Sequence, residues 1–212
     1  MSPRVRVLVV GVGGQGVLTT ARAIGDAAVH AGLEVAVGQV HGMSQRGGSV
    51  EASALIGSSR RAFIGDGEAD VLLAFEPLEL LRALPRTAPG ATLIAARLTV
   101  TPFTLTLQGK RYPNVDEIFE RARAVAGSLF VVDAPALVRE AGDSRTLNVL
   151  MLGALAATGR LPFDGAAVLS EIERRASPRA LVPNRRAFSL GRAAALAQLT
   201  QATEGGTACR HP

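Results

Sequence analysis

The apolar positions of the first forty residues switch from one period to another. Residues 4–10 (RVRVLVV) are β-branched or leucine at nearly every step and stop at Gly11, the pattern of a strand buried on both faces. From Gly16 to Ala31 the apolar positions fall at Val17, Leu18, Ala21, Ile24 and Ala28, a helical spacing that Gly32 closes. Residues 35–40 form a second strand. Residues 41–48 (HGMSQRGG) are a polar, glycine-containing loop too long for a tight hairpin. Residues 49–56 alternate Ser, Glu, Ser against Val, Ala, Ala, a strand with one polar face. Beyond a loop at 58–69, strands are expected at 71–75, 91–95 and 129–132. Helices are expected at 77–84, 115–126, 135–141, 147–158, 164–175 and 182–199. Pro77 opens the first of these and Asn114 caps the second. Residues 99–112 are threonine-rich and read as a short extended excursion. Strands alternating with helices predict an α/β fold, a three-layer α/β/α sandwich with a mostly parallel, mixed sheet and a Rossmann-like first βαβ unit. The expectation is a single domain over residues 1–200, followed by a polar, disordered tail at 201–212.

Composition narrows the chemistry. The 212 residues are 48% hydrophobic but only 4% aromatic with no Trp, so the core is aliphatic and no base-stacking platform is available. The formal charge of +5 comes almost wholly from arginine, Lys110 being the only lysine. These arginines are dispersed, with no basic helix, which disfavours nucleic acid; the bias reflects either genome composition or contact with phosphates or an acidic protein. Cys209 is the only cysteine, which excludes an intrachain disulfide and any cluster held by several thiolates. Met1 leads almost directly into a strand and no apolar run reaches spanning length, so neither a signal peptide nor a membrane segment is expected and the cytoplasm is the default compartment.

Gly11-Val12-Gly13-Gly14-Gln15-Gly16 matches G-x-G-x-x-G between a strand and a helix. Glycines there allow a tight turn and let an anion reach amides at the positive end of the helix. A dinucleotide fold also needs an acid at the end of the second strand to hold the ribose. That strand ends Gln39-Val40-His41, and Glu34 stands at its wrong end. An NAD(P)-dependent reductase and a non-catalytic assembly protein of the same fold remain alternatives, as does a turn serving only strand–helix packing. The loop at 41–48 leaves a strand end at the same sheet edge if the strands are parallel. It offers an imidazole at His41, a hydroxyl at Ser44, a guanidinium at Arg46 and two permissive glycines, Gly47 and Gly48. His41 is the one catalytic candidate. His30 and His211 lie on a helix end and in the tail, so no metal site is expected. Gly65-Asp66-Gly67 opens like a thiamine-diphosphate motif, but that motif needs downstream asparagines to complete a Mg²⁺ site, and none precedes Asn114. The segment reads as a turn. Ser44 and Ser49 lack the setting of a nucleophilic serine.

Together, residues 10–18 (VGVGGQGVL), 41–50 (HGMSQRGGSV), 68–77 (EADVLLAFEP), 148–155 (NVLMLGAL) and 161–163 (LPF) resemble the gamma-type domain of the 2-oxoacid:ferredoxin oxidoreductases. The His-Gly-Met-Ser-Gln-Arg-Gly-Gly form of the loop is most similar to the indolepyruvate branch, and the likeness runs from about residue 5 to residue 191. It implies oxidative decarboxylation of an arylpyruvate such as indolepyruvate with coenzyme A, giving an arylacetyl-CoA, CO₂ and reduced ferredoxin. It further implies a hetero-oligomer in which thiamine diphosphate, Mg²⁺ and 4Fe–4S clusters sit on a large alpha subunit. On that reading this chain shapes the active-site cleft or the coenzyme A pocket, through Gly11, Gly13, Gly14, Gln15 and Gly16 and through Ser44, Arg46, Gly47 and Gly48.

Overall fold

A computed structural model describes residues 4–41, 48–57, 61–101 and 111–207. Six strands form one mixed sheet: β1 (Val5–Val12), β2 (Val35–His41), β3 (Ser49–Ile56), β4 (Ala69–Ala74), β5 (Thr87–Ala96) and β6 (Ser128–Val132). The helices are α1 (Val17–His30), α2 (Pro77–Ala83), α3 (Val115–Val125), α4 (Ala134–Ala141), α5 (Leu147–Ala157), α6 (Ala166–Arg175) and α7 (Pro178–Thr207). The strand order is β2-β3-β1-β4-β5-β6. β1, β4, β5 and β6 run parallel, while β3 is antiparallel to both β1 and β2.

The sheet is covered on both faces. Val7 and Val9 point into a core shared with α1, α4, α5, α6 and α7, and Leu8 and Val10 point into one shared with α2 and α3. All four are at most 4% exposed, which is why β1 reads as an unbroken apolar run rather than an alternation. α5 is apolar almost all round because it is buried from several sides, with Val149, Leu150, Met151, Leu152, Ala154 and Leu155 all in the core. It meets α7 at glycines: a Cβ at Gly191 would lie 1.8 Å from the Leu150 carbonyl oxygen, so any side chain there forces the helices apart.

Several local expectations shift. β1 continues through Gly11 to Val12, so Gly11 belongs to the strand and the turn proper is Gly13–Gly16. β1 and β2 are parallel, as a Rossmann-like unit requires, but β3 lies between them. Alternation along residues 49–56 shows which positions share a face, not which neighbour the strand pairs with. The polar face of β3 passes from an exposed Ser49 to a buried Ser53 and is engaged along its length. Ser49 and Glu51 meet Glu79 and Arg86, and the Ser53 hydroxyl bonds the Ala62 carbonyl. The last helix starts at Pro178, ahead of the expected residue 182, carries Pro183 within it, and runs to Thr207 through residues read as tail.

Candidate functional site

The glycine turn gathers its strength from one glutamine. Gln15 Oε1 accepts from Val12 N–H at 2.7 Å and Gln15 Nε2 donates to the Phe75 carbonyl at 3.2 Å, so one side chain ties the end of β1 to the residue after β4. Gly11 makes room for it, since a Cβ there would meet Gln15 Oε1 at 2.7 Å. Gly14 and Gly16 adopt φ of 102° and 85°, a region that disfavours side chains. Gly16 is the N-cap of α1 and supplies no capping side chain.

The amides expected to hold an anion are differently engaged. Gly13 N–H donates to the Gly48 carbonyl at 2.9 Å and Gln15 N–H to the Val12 carbonyl at 3.1 Å. The backbone N–H groups of Val17, Leu18 and Thr19, the first turn of α1, have no partner among the described residues. The Gly13–Gly48 bond also joins the two loops read separately from sequence, bringing Gly48 against the turn. His41 ends β2, its backbone paired with Val50, which in turn pairs with Gly11. The loop and the turn therefore share one sheet edge. Ser44, Arg46 and Gly47 lie outside the described residues. A cleft of about 510 Å³ opens over this edge, lined by Gly13, Gly14, Gly16, the first turn of α1, Gln39 and Val50. Because β3 separates β1 from β2, the end of β2 stands about 10 Å from β1 instead of about 5 Å, the wrong place for a ribose-binding acid.

The next junction on the same edge was missed by sequence reasoning. After β4, Glu76 is fully buried and caps α2, its Oε2 accepting from Glu79 N–H at 3.0 Å. Oε1 accepts from the Tyr112 hydroxyl and, at 3.4 Å, from Val100 N–H. The Tyr112 hydroxyl accepts in turn from Leu78 N–H at 3.0 Å. Burial raises the Glu76 carboxyl above its usual range, and the bonds from Tyr112 and Glu79 only partly offset this. Burial, then the hydrogen bond to Glu76, raises the Tyr112 phenol. The available signal was local: a carboxylate directly before a proline at a strand end is a helix-start pattern.

Asp66 sits in a turn tied to the segment before β5 by Gly67 N–H donating to the Pro85 carbonyl at 2.9 Å, and its carboxylate faces Arg86 at 3.5 Å. Among the described residues, no group of three or more His, Cys, Asp or Glu could hold a metal ion, and no helix is long and apolar enough to cross a membrane.

Residues 6–194 match the pyruvate ferredoxin/flavodoxin oxidoreductase family. The chain belongs to this family. Curated relatives include the indolepyruvate oxidoreductase subunit IorB of Methanothermobacter thermautotrophicus, 40% identical over 189 residues that cover 89% of this chain and 96% of the relative. The subunit of the same name from Archaeoglobus fulgidus is 36% identical, covering 89% and 94%. The fold of the family is seen in the gamma subunit of a keto/oxoacid ferredoxin oxidoreductase from Geobacter sulfurreducens, with a TM-score of 0.66 and 22% identity over 91% of this chain and 99% of that one. It is seen again in a 2-oxoglutarate:ferredoxin oxidoreductase from Magnetococcus marinus solved with 2-oxoglutarate, coenzyme A and succinyl-CoA. There the TM-score is 0.68 at 23% identity, over 93% of this chain and 32% of that longer one.

Proposed function

We propose that this chain is the small subunit of a coenzyme A-acylating 2-oxoacid:ferredoxin oxidoreductase acting on arylpyruvates, indolepyruvate first among them. In that reaction the bond between the carboxylate and the keto carbon breaks and CO₂ leaves. The keto carbon becomes a thioester with coenzyme A, and two electrons pass singly to ferredoxin. On this reading the thiamine diphosphate, Mg²⁺ and 4Fe–4S clusters for those steps belong to a large alpha subunit, as the family resemblance implies. The contribution proposed for this chain is the coenzyme A pocket, held by the glycine turn and the loop at 41–48, with His41 placed to orient substrate.

One observation carries the assignment to coenzyme A: the cleft over the turn ends on three N–H groups at the positive end of α1 that have no partner among the described residues, where a phosphate gains both hydrogen bonds and the helix dipole. The test is co-expression with the large subunit, followed by ferredoxin reduction assayed across 2-oxoacids. Coenzyme A-dependent turnover is expected with indolepyruvate and phenylpyruvate and only weakly with pyruvate. Arg46→Ala is expected to raise the KM for coenzyme A with the complex intact. Turnover on arylpyruvates that never requires coenzyme A would refute the pocket.

A further inference from the structure

A second cavity adjoins the cleft. It occupies about 280 Å³ between α1, the 3₁₀ turn Ser144–Thr146, the end of α6 and the start of α7, at the small end of the ~300–1,000 Å³ range of ligand pockets. Thr19 lines both spaces. Asn148 stands at the partition, its Cβ 3.0 Å from where a Cβ on Gly16 would lie. The walls are apolar at Ala23, Val149 and Ile172, all at most 9% exposed.

The polar groups of this cavity divide into two kinds. Its charged groups are satisfied within the protein. Arg145 is forked onto Asp143, Arg175 meets Asp26 at 2.7 Å, and Glu171 is held by Arg174 and His30. Two positive and two negative side chains, each already paired, give no reason for an anion to enter. The neutral groups are different. Asn184 is 8% exposed, its carboxamide has no hydrogen-bond partner among the described residues, and it lines the cavity. Asn148 likewise has no partner there. A nine-tenths-buried carboxamide with no protein partner is a free recognition edge, held by water until a ligand replaces it. Two carboxamides between aliphatic walls match a flat, uncharged ring with donors and acceptors on one edge, as an adenine base presents.

We propose that this cavity receives the adenine of the nucleotide whose phosphates face the first turn of α1, an inference that rests on the coenzyme A reading of the cleft. The base is then anchored inside this chain, and the thiol-bearing arm is left to run outward to the catalytic partner. Asn148 and Asn184 meet the base edge, while Ala23, Val149 and Ile172 pack its faces.

The assembled complex, wild type and Asn184→Leu, is titrated calorimetrically with ADP, pyrophosphate and pantetheine. Leucine keeps the size of the side chain and removes its polar edge. ADP affinity is expected to fall about ten- to hundredfold with pyrophosphate and pantetheine unchanged. If Asn184→Leu lowers the affinity for all three, Ala180→Leu, which narrows the cavity from the less buried start of α7, decides by the same pattern. ADP binding that survives both substitutions, or a loss confined to pantetheine, overturns the adenine site while leaving the coenzyme A reading in place. A wild-type complex that binds neither ADP nor pyrophosphate overturns both.

Discussion

Two neighbouring parallel strands, β1 and β4, end at the same sheet edge and hand the chain to helices on opposite faces, and the two junctions are built in opposite ways. At the start of α2 every backbone donor has a partner. Pro77 has no N–H, Leu78 donates to Tyr112, Glu79 to the Glu76 carboxylate, and Leu80 to the Glu76 carbonyl. At the start of α1 the equivalent donors on Val17, Leu18 and Thr19 have no partner among the described residues, and the cap is a glycine. Position by position, α2 carries Glu at the N-cap and at N3, where α1 carries Gly16 and Thr19. The α2 junction supplies its own anion and is a structural seal. The α1 junction starts its helix from a left-handed glycine where α2 starts from an extended glutamate, and it leaves the anion out, which is how a helix start is kept free for a ligand.

The largest expected effect comes from opening the closed junction. Glu76→Ala removes the acceptor for Tyr112, Glu79 N–H and Val100 N–H in a fully buried place, and is expected to cost about 3 kcal/mol in urea unfolding. Glu76→Gln keeps one acceptor and should cost less, but it changes the pH dependence. Burial raises the folded-state pKa of Glu76 above its ordinary 4.5, so the native state holds the proton more tightly than the unfolded chain does. The resulting stability is fully present below about pH 4.5 and is lost as pH rises through the folded value. In Glu76→Gln that decline should be absent, and an unchanged profile would show that the carboxylate is not what titrates.

A smaller loss is expected at the partner. Tyr112→Phe keeps the ring and removes one hydroxyl that both donates to Glu76 and accepts from Leu78 N–H, and about 1–2 kcal/mol should disappear. If the seal is only structural, kcat and KM of the assembled enzyme stay as they were. A loss of turnover without a loss of stability would move Tyr112 from scaffold to site and break the contrast between the junctions.

Much of this was legible along the chain and some of it was not, for definite reasons. The strand, turn and helix around Gly11–Gly16 could be read because each depends on residues a few positions apart. The seal at α2 joins residues 36 positions apart, Glu76 and Tyr112, through a fold that periodicity does not describe. β3 was readable as a strand but not as the strand inserted beside β1, because alternation carries no pairing direction. Gln15 stood inside the recognised motif. What hid its role is that its partners, Val12 N–H and the Phe75 carbonyl, are backbone groups brought near only when β1 and β4 pair. Asn184 stands in no motif, and its isolation is a matter of burial that only the packed helices create.

The smallest change in stability should give the sharpest separation. Thr19 is the N3 residue of α1, exposed, and in the position that Glu79 fills on α2. Thr19→Glu places a carboxylate where it can accept from the open N–H groups and offset the helix dipole, so α1 gains the anion that α2 already has. Stability is expected to rise by about 0.5 kcal/mol, with the gain shrinking at high salt. The same carboxylate occupies the place argued for a phosphate and repels one nearby, so affinity of the complex for coenzyme A should fall at least about tenfold. The two readouts then move in opposite directions, which no packing role for the glycines produces. Unchanged coenzyme A affinity in a complex stabilised as expected would mean that the open start of α1 is not the phosphate site, and the likeness of the two junctions would be one of position along the sheet edge only.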